Sequence, residues 1–193
     1  MKPVMKRRTK IVAMSAATAL LILTGAAGAA VASGSGAHAP QREVTAQREA
    51  AALTGTAKLY RSAGDDITFS FDAHLAAKDT MDPRRATGTF RFSHYLHGRG
   101  AWAEAEVDCL VTGGEVAVVS GVITASDLPG AKGKRVGVTV HDLGRHDRLG
   151  YSWAGVGSPT DTKDLPPCVS SAPFEKVKQG TGDFKVVPWR PEL

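Results

Sequence analysis

The stretch ITFSFD, residues 67–72, decides the fold, because apolar and polar side chains alternate along it without a break. In an extended chain its Ile and Phe side chains share one face, and its Thr, Ser and Asp side chains share the other. This two-residue period is typical of a half-buried strand in an antiparallel sheet. The same period returns in TFRFS at residues 89–93 and in VGVTVH at residues 136–141.

Turn residues separate these runs, and Gly113-Gly114 between two apolar segments is a strong hairpin signal. The sequence therefore predicts an all-β fold, a single antiparallel β-barrel or sandwich of about eight strands, without a helix of consequence. The predicted strands cover residues 53–61, 66–75, 86–97, 101–112, 115–125, 135–142, 149–156 and 183–188.

The N-terminus has the pattern of an export signal. Five basic residues precede an apolar run from Ile11 to about Leu23, and small residues then continue to an A-x-A site at Ala32. We therefore expect a signal peptide at residues 1–32, cleaved between Ala32 and Ser33. A short, disordered leader at residues 33–52 and an all-β domain at residues 53–193 would follow. A retained N-terminal anchor is the alternative. We expect a secreted, extracellular protein without a stable membrane anchor after cleavage.

The positive net charge belongs to the predicted signal. Of 24 Lys and Arg residues, five precede Ile11, and no acid precedes Glu43, so residues 33–193 hold 19 basic and 19 acidic residues. A near-neutral domain without interleaved aromatic and basic residues argues against nucleic acid as a partner. The chain also has no phosphate-binding loop and no dinucleotide motif, so no cofactor is expected.

Cys109 and Cys168 are the only cysteines, and 59 positions separate them. In an oxidising compartment such a pair usually forms a disulfide, which would pin the irregular stretch 157–182 to the sheet. The alternative is a reduced, nucleophilic Cys109 beside a histidine.

One loop carries candidate metal ligands. The run HDLGRHDR at residues 141–148 places two His and two Asp side chains close together. Imidazole and carboxylate groups bind divalent ions such as Zn²⁺ when their vectors converge. The interpretation without a metal, which we favour, is a charged turn in which Arg145 and Arg148 pair with the acids. The candidate metal ligands are His141, Asp142, His146 and Asp147.

Histidines and carboxylates elsewhere are weak candidates for acid–base chemistry, because histidine titrates near neutral pH. If the strands pair in order, His74 and His94 are expected to meet near a sheet end, with His97 close by, although His94 also follows the phase of the apolar residues. Glu104, Glu106 and Asp108 alternate with apolar residues and are expected on the wet face. The candidate catalytic residues are His74, His94, His141, Asp72 and Asp142. Trp102, Trp153 and Trp189 are candidates to line a ligand pocket, although tryptophans in small β-domains more often pack in the core or at its rim.

Several motifs together resemble a known group of proteins. They are TGT at 54–56, DDITFSFDA at 65–73, GTFRFSH at 88–94, VDCL at 107–110, residues 118–124, GKRVG at 133–137 and DRLGYSW at 147–153. The set resembles small secreted actinobacterial proteins that often carry the label "repetin", over roughly residues 53–177. The resemblance implies a secreted all-β domain with the same two-cysteine arrangement, and it implies no activity.

The leading functional hypothesis is a non-catalytic β-domain that binds a small ligand, a glycan or a protein partner. Its support is a well-formed scaffold without a convincing reaction centre. One alternative is an extracellular hydrolase or isomerase that uses the histidine and carboxylate groups. Another is an inhibitor or surface-interaction protein that presents the disulfide-pinned stretch 157–182.

Overall fold

Nine antiparallel strands form one curled sheet in the computed structural model, which describes residues 49–162 and 165–190. These residues lie in one structural unit, Val44–Leu193. The strands are β1 (Glu49–Lys58), β2 (Asp66–Ala76), β3 (Thr87–Leu96), β4 (Arg99–Gly113), β5 (Val116–Ser126), β6 (Arg135–His141), β7 (Arg148–Tyr151), β8 (Glu175–Lys176) and β9 (Asp183–Val187). The predicted all-β fold is confirmed, and the helices in the described residues are four 3₁₀ turns of three residues each.

The sheet has the order β8-β7-β6-β5-β4-β3-β2-β1-β9 and curls so that β8 meets β1. Val177, directly after β8, forms a bridge with Leu59, directly after β1. The Tyr60 N–H donates to the carbonyl of Lys176 at 2.8 Å. The chain from Glu175 to Val187 therefore borders β7 at its start and β1 along most of its length. This is the half-barrel type of all-β architecture, and the sandwich alternative is wrong.

Alternation places the apolar side chains inside the curl. Phe69 and Phe71 of β2 and Phe90 and Phe92 of β3 are all at least 92 % buried, while the polar residues between them face outward. The rings stack along the inner face at centroid separations of 5.9 to 6.5 Å. The period seen in the sequence thus builds a continuous aromatic core.

Two predicted boundaries are wrong. Strand β1 begins at Glu49, inside the leader predicted to extend to residue 52, and Ala51 and Ala52 are buried against β2. The predicted strand 149–156 ends at Tyr151, because the Trp153 carbonyl accepts from the Val156 and Gly157 N–H groups in a tight turn.

The predicted signal peptide at residues 1–32, its cleavage site at Ala32 and Ser33, and most of the leader lie outside the described residues. Among the residues that the structure describes, no helix has the length and apolarity needed to cross a membrane.

The predicted disulfide is present, with Cys109 fully buried and its Cα atom 5.2 Å from that of Cys168. It holds the segment 165–174 against the outer face of β5, β6 and β7. Ser120, the partner of Cys109 across β4 and β5, accepts a hydrogen bond from the Cys168 N–H at 2.9 Å. A disulfide of this kind indicates an oxidising environment.

Small side chains make room for this segment. A Cβ atom added to Gly137 would lie 1.9 Å from the Val169 carbonyl oxygen, and one added to Gly150 would lie 1.9 Å from that of Ala172. The glycines of β6 and β7 therefore allow backbone to pack directly on backbone. As a result, all residues of β6 between its two ends are buried.

Candidate functional site

An aromatic cleft of about 390 Å³ opens at the end of the curled sheet where β3 ends and β4 begins. The start of β4 forms one wall, and the turn that follows β7 forms the other. The lining is mainly apolar or backbone, and its residues are Phe92, His94, Gly100, Ala101, Trp102, Ala103, Ser126, Leu128, Trp153, Gly157, Ser158 and Pro159.

The floor of the aromatic cleft consists of closely packed, buried aromatic rings. The rings of Phe92 and Trp153 lie 4.4 Å apart between centroids, and each residue is only 8 % exposed. Trp153 also contacts Tyr151 and Phe69, so the turn after β7 is fixed by packing onto the aromatic core. Large aromatic groups held in this way offer a preformed apolar surface.

Few polar groups in the aromatic cleft remain available to a ligand. The Ser126 hydroxyl donates to the Trp102 carbonyl at 2.6 Å and accepts from the Leu128 N–H at 3.0 Å. The Ser158 hydroxyl accepts from the Thr160 N–H at 3.2 Å. Both hydroxyls are therefore occupied by the walls of the cleft.

His94 is the titratable side chain that lines the aromatic cleft. Its Nε2 atom lies 2.9 Å from Asp65 Oδ2, and its side chain is 59 % exposed. Its Nδ1 atom has no hydrogen-bond partner among the described residues. Although His94 follows the phase of Phe90 and Phe92, it is not a core residue, because β3 passes the edge of the core after Phe92.

The structure separates His74 from His94. His74 pairs with Thr87 and His94 pairs with Ile67, so seven residue steps along β2, roughly 23 Å, separate the two pairs. The expectation that these histidines meet at a sheet end is wrong, because antiparallel pairing sends them to opposite ends. His97 lies in the β3–β4 turn at the His94 end.

His74 instead bridges two carboxylates on the outer face of the sheet. Its Nε2 atom lies 2.8 Å from Asp72 Oδ1, and its Nδ1 atom lies 2.6 Å from Glu49 Oε1. The hydrogen bond to Asp72, supported by the one to Glu49, raises the pKa of the imidazole. Both ring nitrogens are engaged by carboxylates, so the predicted pair of His74 and Asp72 forms part of a surface ion cluster.

The 141–148 loop brings together carboxylates only. Oxygens of Asp142, Asp147 and Asp183 lie within 4.8 Å of one another, whereas His141 and His146 do not join this group. The four candidate ligands His141, Asp142, His146 and Asp147 are therefore not brought together as one site. His141 faces Glu115 at 3.9 Å instead. The catalytic pairing of His141 with Asp142 is not formed either, since among the described acids only Glu115 lies within ion-pair distance of His141.

Backbone groups hold the acids of this loop. Asp147 is 1 % exposed, and its two oxygens accept from the N–H groups of Leu143 at 2.7 Å and Phe184 at 3.2 Å. Burial raises the pKa of the Asp147 carboxyl, and the neighbouring Asp183 carboxyl raises it further. Among the described residues, neither Arg145 nor Arg148 lies within ion-pair distance of these acids, so the expected Asp–Arg pairs are absent.

The remaining candidate residues divide between the outer face of β4, the aromatic cleft and the opposite end of the sheet. The wet-face prediction for Glu104, Glu106 and Asp108 is confirmed, since all three alternate with buried residues of β4. Asp108 pairs with Arg135 at 2.6 Å. Of the three tryptophans, Trp102 and Trp153 line the aromatic cleft, whereas Trp189 packs near the opposite end of the sheet and donates to the Thr80 carbonyl at 2.9 Å.

Sequence patterns alone missed most of the aromatic cleft. Leu128 and Pro159 lie in segments without a period, and their contact with the start of β4 depends on long-range packing. No family model, curated protein or solved structure matches this chain. The function is therefore argued from the geometry of the described residues.

Proposed function

We propose that this protein is an extracellular, non-catalytic domain that binds a small, mostly apolar molecule in the aromatic cleft. The observation that carries the proposal is a preformed cleft floored by Phe92 and Trp153 at one end of the curled sheet. Small-molecule sites in proteins are typically concave, largely apolar and about 300–1,000 Å³ in volume. The volume of about 390 Å³ suits one small molecule rather than a long chain.

The polar groups of the cleft narrow the class of ligand. The hydroxyls of Ser126 and Ser158 are engaged within the protein, so few partners remain for the many hydroxyl groups of a sugar. The His94 ring, held by Asp65, offers one hydrogen bond at the rim. These features favour an aromatic or alicyclic ligand with one polar group over a glycan.

The disulfide and the predicted signal peptide support a location outside the cell. The covalent link between Cys109 and Cys168 suits an oxidising compartment. The resemblance to small secreted actinobacterial proteins agrees with this location and stays a prediction. No nucleic-acid partner is proposed, because residues 33–193 have balanced charge.

A thermal-shift screen against a library of small molecules tests the proposal, because a ligand that binds only the native state raises the melting temperature. Filling the cleft through Ala101→Phe is expected to abolish the shift. Ala125→Phe, a half-buried site outside the cleft, serves as the matched control and should keep it. A library without stabilising compounds, or a shift unaffected by Ala101→Phe, would contradict the proposal.

The pair of His94 and Asp65 at the cleft rim favours a second candidate function, acid–base catalysis on a bound small molecule. A carboxylate that orients an imidazole is a common arrangement for a general base. Turnover of a bound compound that is lost in His94→Gln, while its binding persists, would favour this alternative. Binding without turnover in both proteins would favour the non-catalytic proposal.

A further inference from the structure

A second cleft, of about 750 Å³, lies where the two ends of the sheet meet. We call it the seam cleft. The loop Leu143–Arg148 forms one wall, the segment Lys176–Gln179 forms the other, and Tyr60 closes one side. This cleft shares no residue with the aromatic cleft, so an inference about it stands independently of the proposed function.

Basic side chains dominate the lining of the seam cleft. Arg145, Arg148, Lys176 and Lys178 contribute four positive charges, and His146 lies beside them. None of the four cations has a carboxylate within 4.0 Å among the described residues. Elsewhere in the described structure, four basic residues do have carboxylate partners, namely Lys58, Arg61, Arg85 and Arg135.

The ladder between β7 and β8 places two of these cations directly opposite each other. Arg148 pairs with Lys176, so their side chains share one face of the sheet. Like charges in such cross-strand positions destabilise a sheet. An anion bound between the two side chains would remove this repulsion and would accept charge-assisted hydrogen bonds from both.

The acids near the seam cleft do not neutralise it. Both oxygens of Asp147, which lines the cleft, accept backbone N–H groups, and the carboxyl is almost fully buried. Asp183 is exposed in an adjoining hollow, where it lies against Asp147. Even with Asp142, the third acid of this cluster, also counted as ionised, the four cations leave a positive balance of one charge.

We propose that the seam cleft binds a small, multiply charged anion that carries phosphate or sulfate groups. The cations lie on both walls, Arg145 and Arg148 on one and Lys176 and Lys178 on the other, which suits a ligand with at least two anionic groups. The exposed Tyr60 and Leu143 side chains supply an apolar border for the organic part of such a ligand.

Isothermal titration calorimetry with inorganic diphosphate and with sucrose octasulfate, at low ionic strength, tests this proposal. We expect saturable binding of at least one probe at one site per chain, and the tighter of the two identifies the phosphate or sulfate source. The double variant Arg148→Gln/Lys176→Gln is expected to weaken binding at least about tenfold, because two charge-assisted contacts are lost. Lys132→Gln, an exposed cation outside the cleft, should change the affinity less than about twofold.

Thermal unfolding separates loss of a ligand site from loss of the fold. Lys176→Gln removes the repulsion from Arg148 and should keep or raise the melting temperature while it weakens binding. Binding that is equally weak in the wild type and all variants, or absent for both probes, would overturn the proposal. A weakening matched by Lys132→Gln would also overturn it, because it would indicate nonspecific charge attraction.

Discussion

Cys109 in β4 is bonded to Cys168 in the segment that crosses the outer face of β5, β6 and β7. The Cα atoms are 5.2 Å apart, although the residues are 59 positions apart in sequence. Segment 165–174 belongs to no strand or helix. The disulfide is its covalent link to the sheet. The segment held by this disulfide does not line the aromatic cleft at the end of the sheet.

Removing the disulfide by Cys109→Ala is expected to lower the free energy of unfolding by about 2–4 kcal/mol, since a loop of this length loses its entropic constraint. Denaturant unfolding measures the change. Cys168→Ala should have a similar effect, and the double variant should add little. Two free thiols titrated in the native protein would contradict this prediction.

The close approach of the segment to β6 gives a second prediction. Gly137→Ala places a Cβ atom 1.9 Å from the Val169 carbonyl oxygen, so the segment must shift. We expect a loss of about 1–3 kcal/mol, typical of overpacking. Gly113→Ala is the control, because a Cβ atom there meets nothing within 4 Å. Equal stability of the two variants would show that the segment does not rest on Gly137.

Local alternation in the sequence was enough to predict most strands. Ile67, Phe69 and Phe71 point inward as their period requires. Strand β8 was missed because its two residues, Glu175 and Lys176, are too short to show a period. Its position depends instead on pairing with β7, which is a long-range contact.

The candidate sites were harder to predict, because they combine distant segments. Asp183 joins Asp142 and Asp147 only through the pairing of β9 with β1 and the packing of the 142–147 loop on it. Composition alone draws attention to Trp153, one of three tryptophans, but no local signal predicts that Pro159 faces the same cleft.

The ion cluster at His74 predicts a pH-dependent contribution to stability. The hydrogen bond to Asp72 raises the imidazole pKa in the folded state. The contribution is therefore complete below the unfolded pKa of about 6.5 and is lost as the pH rises through the folded pKa. His74→Gln should cost up to about 0.5 kcal/mol at pH 5 and almost nothing at pH 9, because the cluster is partly exposed.

Urea unfolding of both proteins across this pH range measures the difference. His97→Gln is the control, since His97 lies in the β3–β4 turn without an ion pair among the described residues. A cost for His74→Gln that is the same at pH 5 and pH 9 would refute the role of the charged imidazole.

The close approach of the Asp147 and Asp183 carboxyls beside the seam cleft predicts that removing one of these charges stabilises the protein. Burial, reinforced by Asp183, raises the pKa of Asp147, so the native state holds its proton more tightly than the unfolded state does. The unfavourable contribution therefore grows as the pH rises from the unfolded pKa through the folded pKa. Asp183→Asn removes the like charge and should add about 0.5–1 kcal/mol at pH 7.

This gain should shrink in acid, because the Asp147 carboxyl, with its raised pKa, becomes protonated there. Thermal unfolding at pH 7 and pH 3.5 measures it, with Glu106→Gln on the wet face of β4 as the control. If Asp183→Asn is instead less stable than the wild type at pH 7, the Asp183 carboxylate stabilises the loop and the prediction is wrong.

The most direct test of ligand binding in the aromatic cleft uses the indole N–H resonances of the three tryptophans in a ¹⁵N correlation spectrum. Trp153 lines the cleft, whereas Trp189 packs against Thr80 near the opposite end of the sheet and serves as an internal reference. A compound that raises the melting temperature is predicted to shift the Trp153 resonance and to leave that of Trp189 in place. Stabilising compounds that leave the Trp153 resonance unchanged would contradict the account.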